Sequence, residues 1–292
     1  MPLALITGAS TGIGRATALR LAAGGWTVLA GVRDPRAGER LAADAGAPDR
    51  LIPVTLDVTD PGHIAAAAQL VREHGARAGV SHSAGGTPGG GLDALVNNAG
   101  IGVGGPLELI SQEELRTQFE VNVFAQVAVT QALLPALRAA GGRIVFVSSI
   151  GGRVSTPFVA PYAASKHAVE AIADALRVEL RSSHVQVALV EPGSVATPIW
   201  DKARRDADGF SVPAELEAQY GKVPAGMRKL MEQAARRGVA PEVVAATIER
   251  ALGARRMRAR YLVGTDARVQ LLLSRMLPDH AFDLLLARVI GI

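Results

Sequence analysis

Leu3-Ala4-Leu5-Ile6-Thr7-Gly8-Ala9-Ser10-Thr11-Gly12-Ile13-Gly14 stands at the start of the chain, and its reading decides the fold. Four consecutive apolar residues are too few for a helix and do not alternate, which predicts a strand buried on both faces. The glycines that follow are spaced Gly-x-x-x-Gly-x-Gly and lead directly into a helix-forming run to residue 23. Glycines in that position allow a tight turn and let backbone N–H groups approach a pyrophosphate. The helix N-terminus adds partial positive charge for the same anion. The spacing departs from the common Gly-x-Gly-x-x-Gly, and by itself it suits an ordinary strand–helix turn equally well.

Outward from this unit the same rhythm repeats. Short apolar runs predict strands at 3–7, 27–32, 51–56, 94–97, 143–148, 185–190 and 260–263. Helical patterns lie between them at 14–23, 112–140, 162–182 and 241–252. Strand–helix alternation predicts an α/β, Rossmann-type, doubly wound parallel sheet, here as a single domain over 1–292. Two stretches interrupt it. Residues 75–91 are rich in Gly, Ser and Ala and read as a flexible surface insertion. Residues 198–240 carry Trp200, Phe210, Tyr220, Met227, Leu230 and Met231 among charges. They read as a lid, with a plain helical hairpin packed on the body as the alternative.

Composition narrows the function classes. At 292 residues, 49% hydrophobic and 20% charged, the chain can bury a large core and is not disordered. It contains no cysteine, which excludes disulfides, thiolate metal sites and thiol nucleophiles. His63, His74, His82, His167, His184 and His280 have no metal-site spacing, and no metal is expected. The net charge of +4 is concentrated in Arg255-Arg256-Met257-Arg258-Ala259-Arg260, without interleaved aromatics. No nucleic-acid partner is expected. The apolar start runs straight into the glycine loop, leaving no signal-peptide pattern, and no eighteen-residue apolar stretch is seen. A cytoplasmic protein without a transmembrane segment is the expectation.

Chemistry enters at Tyr162-Ala163-Ala164-Ser165-Lys166 and at Ser149, thirteen residues before the tyrosine. Residues four apart share a helix face, so a cation is set beside a phenol. A phenol titrates near pH ~10. A charge about 4 Å away contributes about 4 kcal/mol at an effective dielectric of ~20, enough to lower that pKa by up to about 3 units. Tyr162 would then exchange protons near neutral pH. Ser149, after the apolar run 143–148, can hydrogen-bond the same substrate oxygen; Ser148 is its neighbouring competitor. Alone, a Tyr-x-x-x-Lys spacing is more often an ordinary helix-surface pair.

Five motifs now stand in order: Thr7-Gly-x-x-x-Gly-x-Gly14, Asn97-Asn98-Ala99-Gly100, Ser149, Tyr162-x-x-x-Lys166 and Pro192-Gly193. Over residues 3 to 265 the chain resembles the short-chain dehydrogenase/reductase family. The resemblance implies an oxidoreductase that transfers a hydride between a nicotinamide cofactor and an alcohol or carbonyl group. It implies Tyr162 as acid/base, Ser149 as the group holding the substrate oxygen, and Lys166 lowering the Tyr162 pKa and bonding the nicotinamide ribose. Asn122 would support Lys166 through a water relay, with a buried helix Asn whose amide is satisfied as the alternative. The cofactor would lie along Gly8, Ser10, Thr11, Gly12, Ile13 and Gly14. Asp57 and Val58 would flank the adenine, and Asn98 and Gly100 would line its ribose. Pro192, Gly193, Val195 and Thr197 would close over the nicotinamide and phosphates. Asn97 is read as structural, and Asn98 is divided between that role and the ribose.

NAD or NADP turns on Ala30-Gly31-Val32-Arg33-Asp34. An acid at the end of the second strand binds a ribose 2′-OH, and an arginine accepts a 2′-phosphate. By the resemblance the acid's place falls on Val32, and Arg33 falls where a guanidinium can take a phosphate in two-pronged fashion. NADP is the expected cofactor. Asp34, one residue on, would restore an acid, and Thr11 replaces a basic residue that some NADP enzymes carry. The likeness is nearest the retinol dehydrogenase and 17β-hydroxysteroid dehydrogenase branch, carried by residues 191–200 and more loosely by 260–264 and the apolar tail. That implies a lipophilic alcohol or ketone. The C-terminal extension, 266–292, could rest on a membrane surface, or pack on the body or a second subunit. The helices at 112–140 and 162–182 resemble a pair that joins subunits, implying a homodimer or homotetramer. A 3-oxoacyl thioester reductase and a non-catalytic NADP-sensing regulator remain as alternatives.

Overall fold

The computed structural model describes residues 1–77, 91–198 and 212–290. Among them seven strands make one sheet: β1 (Leu3–Ile6), β2 (Thr27–Val32), β3 (Leu51–Thr55), β4 (Ala94–Asn97), β5 (Arg143–Val147), β6 (Gln186–Pro192) and β7 (Arg260–Val263). The order is β3-β2-β1-β4-β5-β6-β7, and every neighbouring pair is parallel. This is the doubly wound sheet that the alternation predicts. Strand ends shift by one or two residues from the sequence reading. The largest shift is at β6, which runs on to Pro192 because Glu191 and Pro192 pair in register with Leu262 and Val263.

Side chains of a strand alternate between faces, and here both faces are buried. Leu3 and Leu5 enter one core with Phe146, Leu95 and Leu189; Ala4 and Ile6 enter the other with Val28, Val145 and Val190. The helices are α1 (Gly12–Ala23), α2 (Pro35–Ala43), α3 (Pro61–Arg77), α4 (Gln112–Phe119), α5 (Ala125–Ala140), α6 (Ala160–Glu179), α7 (Val223–Arg237), α8 (Pro241–Gly253), α9 (Thr265–Met276) and α10 (Asp279–Ile290). Leu21, Leu41 and Ile248 of α1, α2 and α8 fill the second core, while α3, α5 and α6 cover the first. Phe146 is the bulkiest fully buried side chain among the described residues, 1% exposed. Phe146→Ala should lower unfolding stability by about 3–5 kcal/mol, measured by urea denaturation; a loss below about 1 kcal/mol would mean the core collapses around the gap.

Helix starts follow local chemistry. Ser111 Oγ accepts from Glu114 N at 3.1 Å while Glu114 Oε2 accepts from Ser111 N at 2.8 Å, a reciprocal cap that fixes the start of α4. A π turn, Glu120–Phe124, joins α4 to α5. The continuous run Gln112–Ala140 is the one described helix long and apolar enough to cross a bilayer, with mean hydropathy 1.3. Asn122, Gln126, Thr130 and Gln131 interrupt it, so it is not an unbroken apolar stretch. Its apolar face is spent inside the protein: Ala125, Val129, Leu133 and Leu137 lie in the first core.

The insertion read at 75–91 begins inside α3, which extends through Arg77, and its residues 78–90 lie outside the described residues. Of the lid, residues 199–211, with Trp200 and Phe210, also lie outside them. The described remainder forms a one-turn helix, Glu217–Tyr220, followed by α7, and Tyr220 Oη ties the short helix to the body by donating to Glu108 Oε2 at 2.9 Å. The C-terminal extension is a helical pair. Ala267, Leu271 and Phe282 pack against Ile150 and Val154 in the turn that follows β5. Val269, Leu272 and Met276 remain exposed on α9.

Candidate active site

β1 pairs with β2 on one side and β4 on the other, so the chain reverses its direction of growth between β1 and β4. Loops leaving the carboxyl ends of β1 and β4 diverge there and open a crevice. The glycine loop leaves β1, Asn98–Gly100 leave β4, Ser149 leaves β5, and Gly193–Thr197 leave β6. The parallel sheet thereby brings four separate predicted motifs to one edge.

The loop after β1 fits a nucleotide's phosphates. Gly8 and Gly12 have φ of +64° and +55°, which side chains rarely adopt. A Cβ on Gly14 would run into the Gly8 carbonyl oxygen, and one on Gly12 would lie 3.1 Å from Thr197 Cγ2. The loop is thus kept as bare backbone at the start of α1, with Thr197 reaching it from across the crevice. Ser10 and Ile13 are half-buried and Thr11 is exposed. Val195 pairs with Val239 in an isolated parallel bridge, which anchors the segment after β6. Gly193 N donates to Val263 O at 2.9 Å, and Ser194 N donates to Asp266 Oδ2 at 2.7 Å. A Cβ on Gly193 would collide with the Asp266 carboxylate. Asp266, from the C-terminal extension, therefore braces the Pro192-Gly193 turn, a role that nothing in its sequence neighbourhood signals.

Several side chains near the predicted nucleotide path also hold the loops in place. Asn98 Nδ2 donates to the carbonyls of Thr7 at 2.9 Å and Gly8 at 3.0 Å, so both amide protons tie the glycine loop to β4. Asn97 Nδ2 donates to Thr130 Oγ1 at 2.9 Å. Val58 packs its side chain into the first core, which leaves only its backbone for an adenine. Asp57 Oδ1 accepts from the Thr59 N–H and hydroxyl, and the backbone bond to Thr59, first, holds its carboxyl below the usual range. Arg33 is exposed at the end of β2 and contributes to that lowering from nearby. Asp34 caps α2, accepting from Arg36 N at 3.0 Å.

Beyond the glycine loop, α6 begins with Pro161 in its first turn, a position that suits proline. Tyr162 and Lys166 follow on successive turns. The Tyr162 ring lies between glycines: Cβ atoms on Gly102 and Gly151 would sit 3.8 Å and 3.3 Å from it. Ser149 Oγ accepts from Gly151 N at 3.0 Å. Lys166 is buried, its Nζ 5.8 Å from the Tyr162 ring centre and donating to Val147 O at 2.9 Å. Just before α6, Phe158 takes φ +66°, and its carbonyl accepts from Gly105 N at 2.7 Å. A side chain held in that region is strained and marks a constrained site.

The electrostatics differ from the sequence reading. Burial pushes the Tyr162 phenol up, and a hydrogen bond from Ser149 pulls it partly back. Burial also brings Lys166 down to about 8, opposed by Glu170. The expected lowering by Lys166 does not appear: burial dominates the phenol, and the amine donates to the Val147 carbonyl. The Asn122 side chain is bonded to the loop after β4 and to α6. Its Nδ2 donates to Ile101 O at 3.0 Å and Ser165 Oγ at 3.1 Å, and its Oδ1 accepts from Ile101 N at 2.8 Å. The amide is satisfied by these three bonds. Ser165, a mere spacer in the Tyr-x-x-x-Lys reading, accepts from Asn122 and donates to Tyr162 O at 2.7 Å. Gln118 adds a second clamp on this loop, bonding Val103 N and Ile101 O.

The model of the short chain dehydrogenase family matches residues 2–208. An NADPH-dependent 3-dehydrocapnine reductase from Ornithobacterium rhinotracheale is 34% identical over 97% of this chain and 95% of its own. Human retinol dehydrogenase 16 is 38% identical over 95% of this chain and 85% of its own. A short-chain dehydrogenase/reductase from Burkholderia phymatum, solved in complex with NAD, superimposes with a TM-score of 0.75 at 28% identity, over 94% of this chain and 92% of that one. The chain belongs to the short-chain dehydrogenase/reductase family. It is an oxidoreductase of the nicotinamide-dependent kind.

Proposed function

We propose that this enzyme is an NADP-preferring alcohol dehydrogenase or carbonyl reductase acting on a lipophilic substrate. The observation that carries the reading is the convergence of Tyr162, Ser149 and Lys166 at the sheet edge, across from the bare glycine loop. A bound nicotinamide supplies the hydride. Tyr162 gives a proton to the carbonyl oxygen, and Ser149 holds that oxygen as charge develops on it. The raised phenol is protonated at neutral pH, which suits reduction. The approach to Tyr162 passes the Gly102 and Gly151 backbones, and Met227 of α7 closes on Gly104, 3.2 Å from where a Cβ would stand. The retinol dehydrogenase relative supports a lipophilic substrate. Exposed Phe124 and Val178, on the helices at 112–140 and 160–179, support association with a second copy.

NADP is favoured because the competing acid is engaged: the Asp34 carboxylate caps its own helix, while Arg33 beside it is exposed. The NADPH-dependent relative supports the same choice. Arg33→Ala should raise the Michaelis constant for NADPH by about 10–100-fold, the worth of charged hydrogen bonds, and leave that for NADH unchanged. Equal constants for both cofactors before and after the change would sink the NADP preference. The reaction class is tested by following NADPH oxidation against steroids, retinal, 3-oxoacyl thioesters and small carbonyls. Turnover that disappears in Tyr162→Phe supports the proposal; no turnover on any carbonyl, with NADPH still bound, overturns it.

A further inference from the structure

Behind the candidate site lies a buried charge cluster that the reaction as described does not use. Glu170 stands one helical turn beyond Lys166 on α6 and is 5% exposed. Arg260 of β7 donates from Nε to Glu170 Oε2 at 2.9 Å and from Nη2 to Asp174 Oδ2 at 2.6 Å. Its Nε is also 3.1 Å from Glu191 Oε1 of β6, which Arg153 Nη1 reaches at 3.1 Å from the turn after β5. Arg177 completes the set on Asp174. The charged groups facing Glu170 are therefore Lys166 and Asp174 on its own helix, Glu191 on β6, Arg260 on β7 and, through Glu191, Arg153.

One part of this cluster has no partner outside itself. Glu170 Oε1 and Ser148 Oγ are both fully buried and lack any other hydrogen-bond partner, and the Ser148 hydroxyl stands close enough to favour the Glu170 carboxylate. They flank the same point, for a Cβ on Gly152 would lie 2.9 Å from Ser148 Oγ and 3.0 Å from Glu170 Cγ. A hydroxyl rotates, so it can donate to a carboxylate or accept from a protonated carboxyl. The pair thus accommodates Glu170 in either charge state. Burial, followed by repulsion from Glu191, opposes Ser148 and Arg260 and leaves the Glu170 carboxyl raised to about 7. Glu170 is also the group that opposes the loss of the Lys166 proton.

We propose that Glu170 is a positioning residue for the reaction, acting through Lys166: its buried negative charge, switchable through Ser148, keeps the Lys166 amine protonated beside Tyr162. The proposal deepens the reductase reading and rests on it for its kinetic consequence. The sign is fixed by electrostatics. Neutralising Glu170 removes an anion near a buried ammonium, so the amine loses its proton at lower pH. Carbonyl reduction that needs the ammonium then fails at lower pH as well.

The test is Glu170→Gln, which keeps the side chain's size and an acceptor for Arg260, with Glu170→Asp as the conservative partner. The reduction rate is followed against pH. In parallel the Lys166 Cε resonance is titrated in protein with isotope-labelled lysine, assigned by its loss in Lys166→Arg. In Glu170→Gln, both the alkaline limb and the Lys166 midpoint should move down by about one pH unit, with most of the shift recovered in Glu170→Asp. A folded Glu170→Gln with the wild-type midpoint overturns the inference. The resonance reads Lys166 without turnover, so an inactive wild type would sink the reductase reading and leave this result standing. If Glu170→Gln does not fold, Ser148→Ala should shift the midpoint in the same direction by a smaller amount, and an unchanged midpoint there counts against the proposal equally.

Discussion

Tyr162→Phe is expected to lower carbonyl reduction by about 10²–10⁴-fold, the usual worth of a placed proton donor. Only the hydroxyl is removed. The ring keeps its contacts against Gly102 and Gly151, and the backbone carbonyl that Ser165 bonds is untouched, so the fold should be indifferent. Nucleotide affinity should also hold, because the glycine loop is built from residues on the far side of the crevice. In the wild type the phenol is raised by burial, so it is protonated at neutral pH and its donor form is lost only as pH climbs. Reduction should therefore be level through neutral pH and fall on the alkaline side, while alcohol oxidation, which needs the phenolate, should rise there. The residual rate of Tyr162→Phe should keep the first alkaline limb, set by Lys166, and lack only the further fall at higher pH that belongs to the phenol. Steady-state rates with an active carbonyl, paired with NADPH titration by fluorescence, measure both. A variant that retains more than about a tenth of the rate would remove Tyr162 from its role.

What could be read from the chain and what could not divide along a physical line. The sheet was legible because each strand carries its own signal: β1 is apolar throughout, and β4 and β5 are apolar but for Asn97 at the end of one and Arg143 at the start of the other, as burial on both faces demands. Local motifs were legible too, since Gly8 and Gly12 sit in turns that no other residue tolerates well. Interactions between loops were not. Whether Asn98 faces a ribose or the Gly8 carbonyl depends on where β1 and β4 lie side by side, and nothing near residue 98 encodes that. Asn122 has the same history, its amide claimed by Ile101, twenty-one positions away in sequence. Glu170 lies four residues after Lys166, a spacing that does hint at contact. Its burial, however, comes from β6 and β7, ninety residues on in the case of Arg260.

The Tyr162–Lys166 pair shows why spacing alone misjudged the electrostatics. Two groups on one helix face were credited with surface-like attraction, yet both are withdrawn from water. Desolvation disfavours every charged form, raising the phenol and lowering the amine together. Attraction between them operates only while Lys166 keeps its proton. The charge cluster behind α6 thus bears on the chemistry at its front, which the sequence motif treats as self-contained.

Gly14→Ala sets two opposed effects against each other, and magnitudes decide between them. Alanine is favoured over glycine inside a helix by about 1 kcal/mol, and Gly14 lies in the first turn of α1 without a positive φ. Against this, its Cβ would meet the Gly8 carbonyl oxygen and stand 2.5 Å from Asn98 Nδ2. Neither neighbour is free to yield. The Gly8 carbonyl is held by Asn98, which also bonds Thr7 O, and Ala9 N is fixed to Gly31 O at 2.8 Å. Overpacking against fixed backbone costs about 1–3 kcal/mol, so destabilisation should win. Relief can come only by moving the phosphate loop off β4, and nucleotide affinity should fall about tenfold or more with it, each tenfold being about 1.4 kcal/mol. Gly253→Ala is the control: it lies in the last turn of α8 with nothing within 4 Å of its Cβ, and should gain up to about 1 kcal/mol with no change in nucleotide binding. Urea denaturation and NADPH titration of both variants decide the matter. A Gly14→Ala protein that is as stable as Gly253→Ala and binds NADPH normally would show that the loop yields freely, and that bare backbone at this position is not what shapes the nucleotide site.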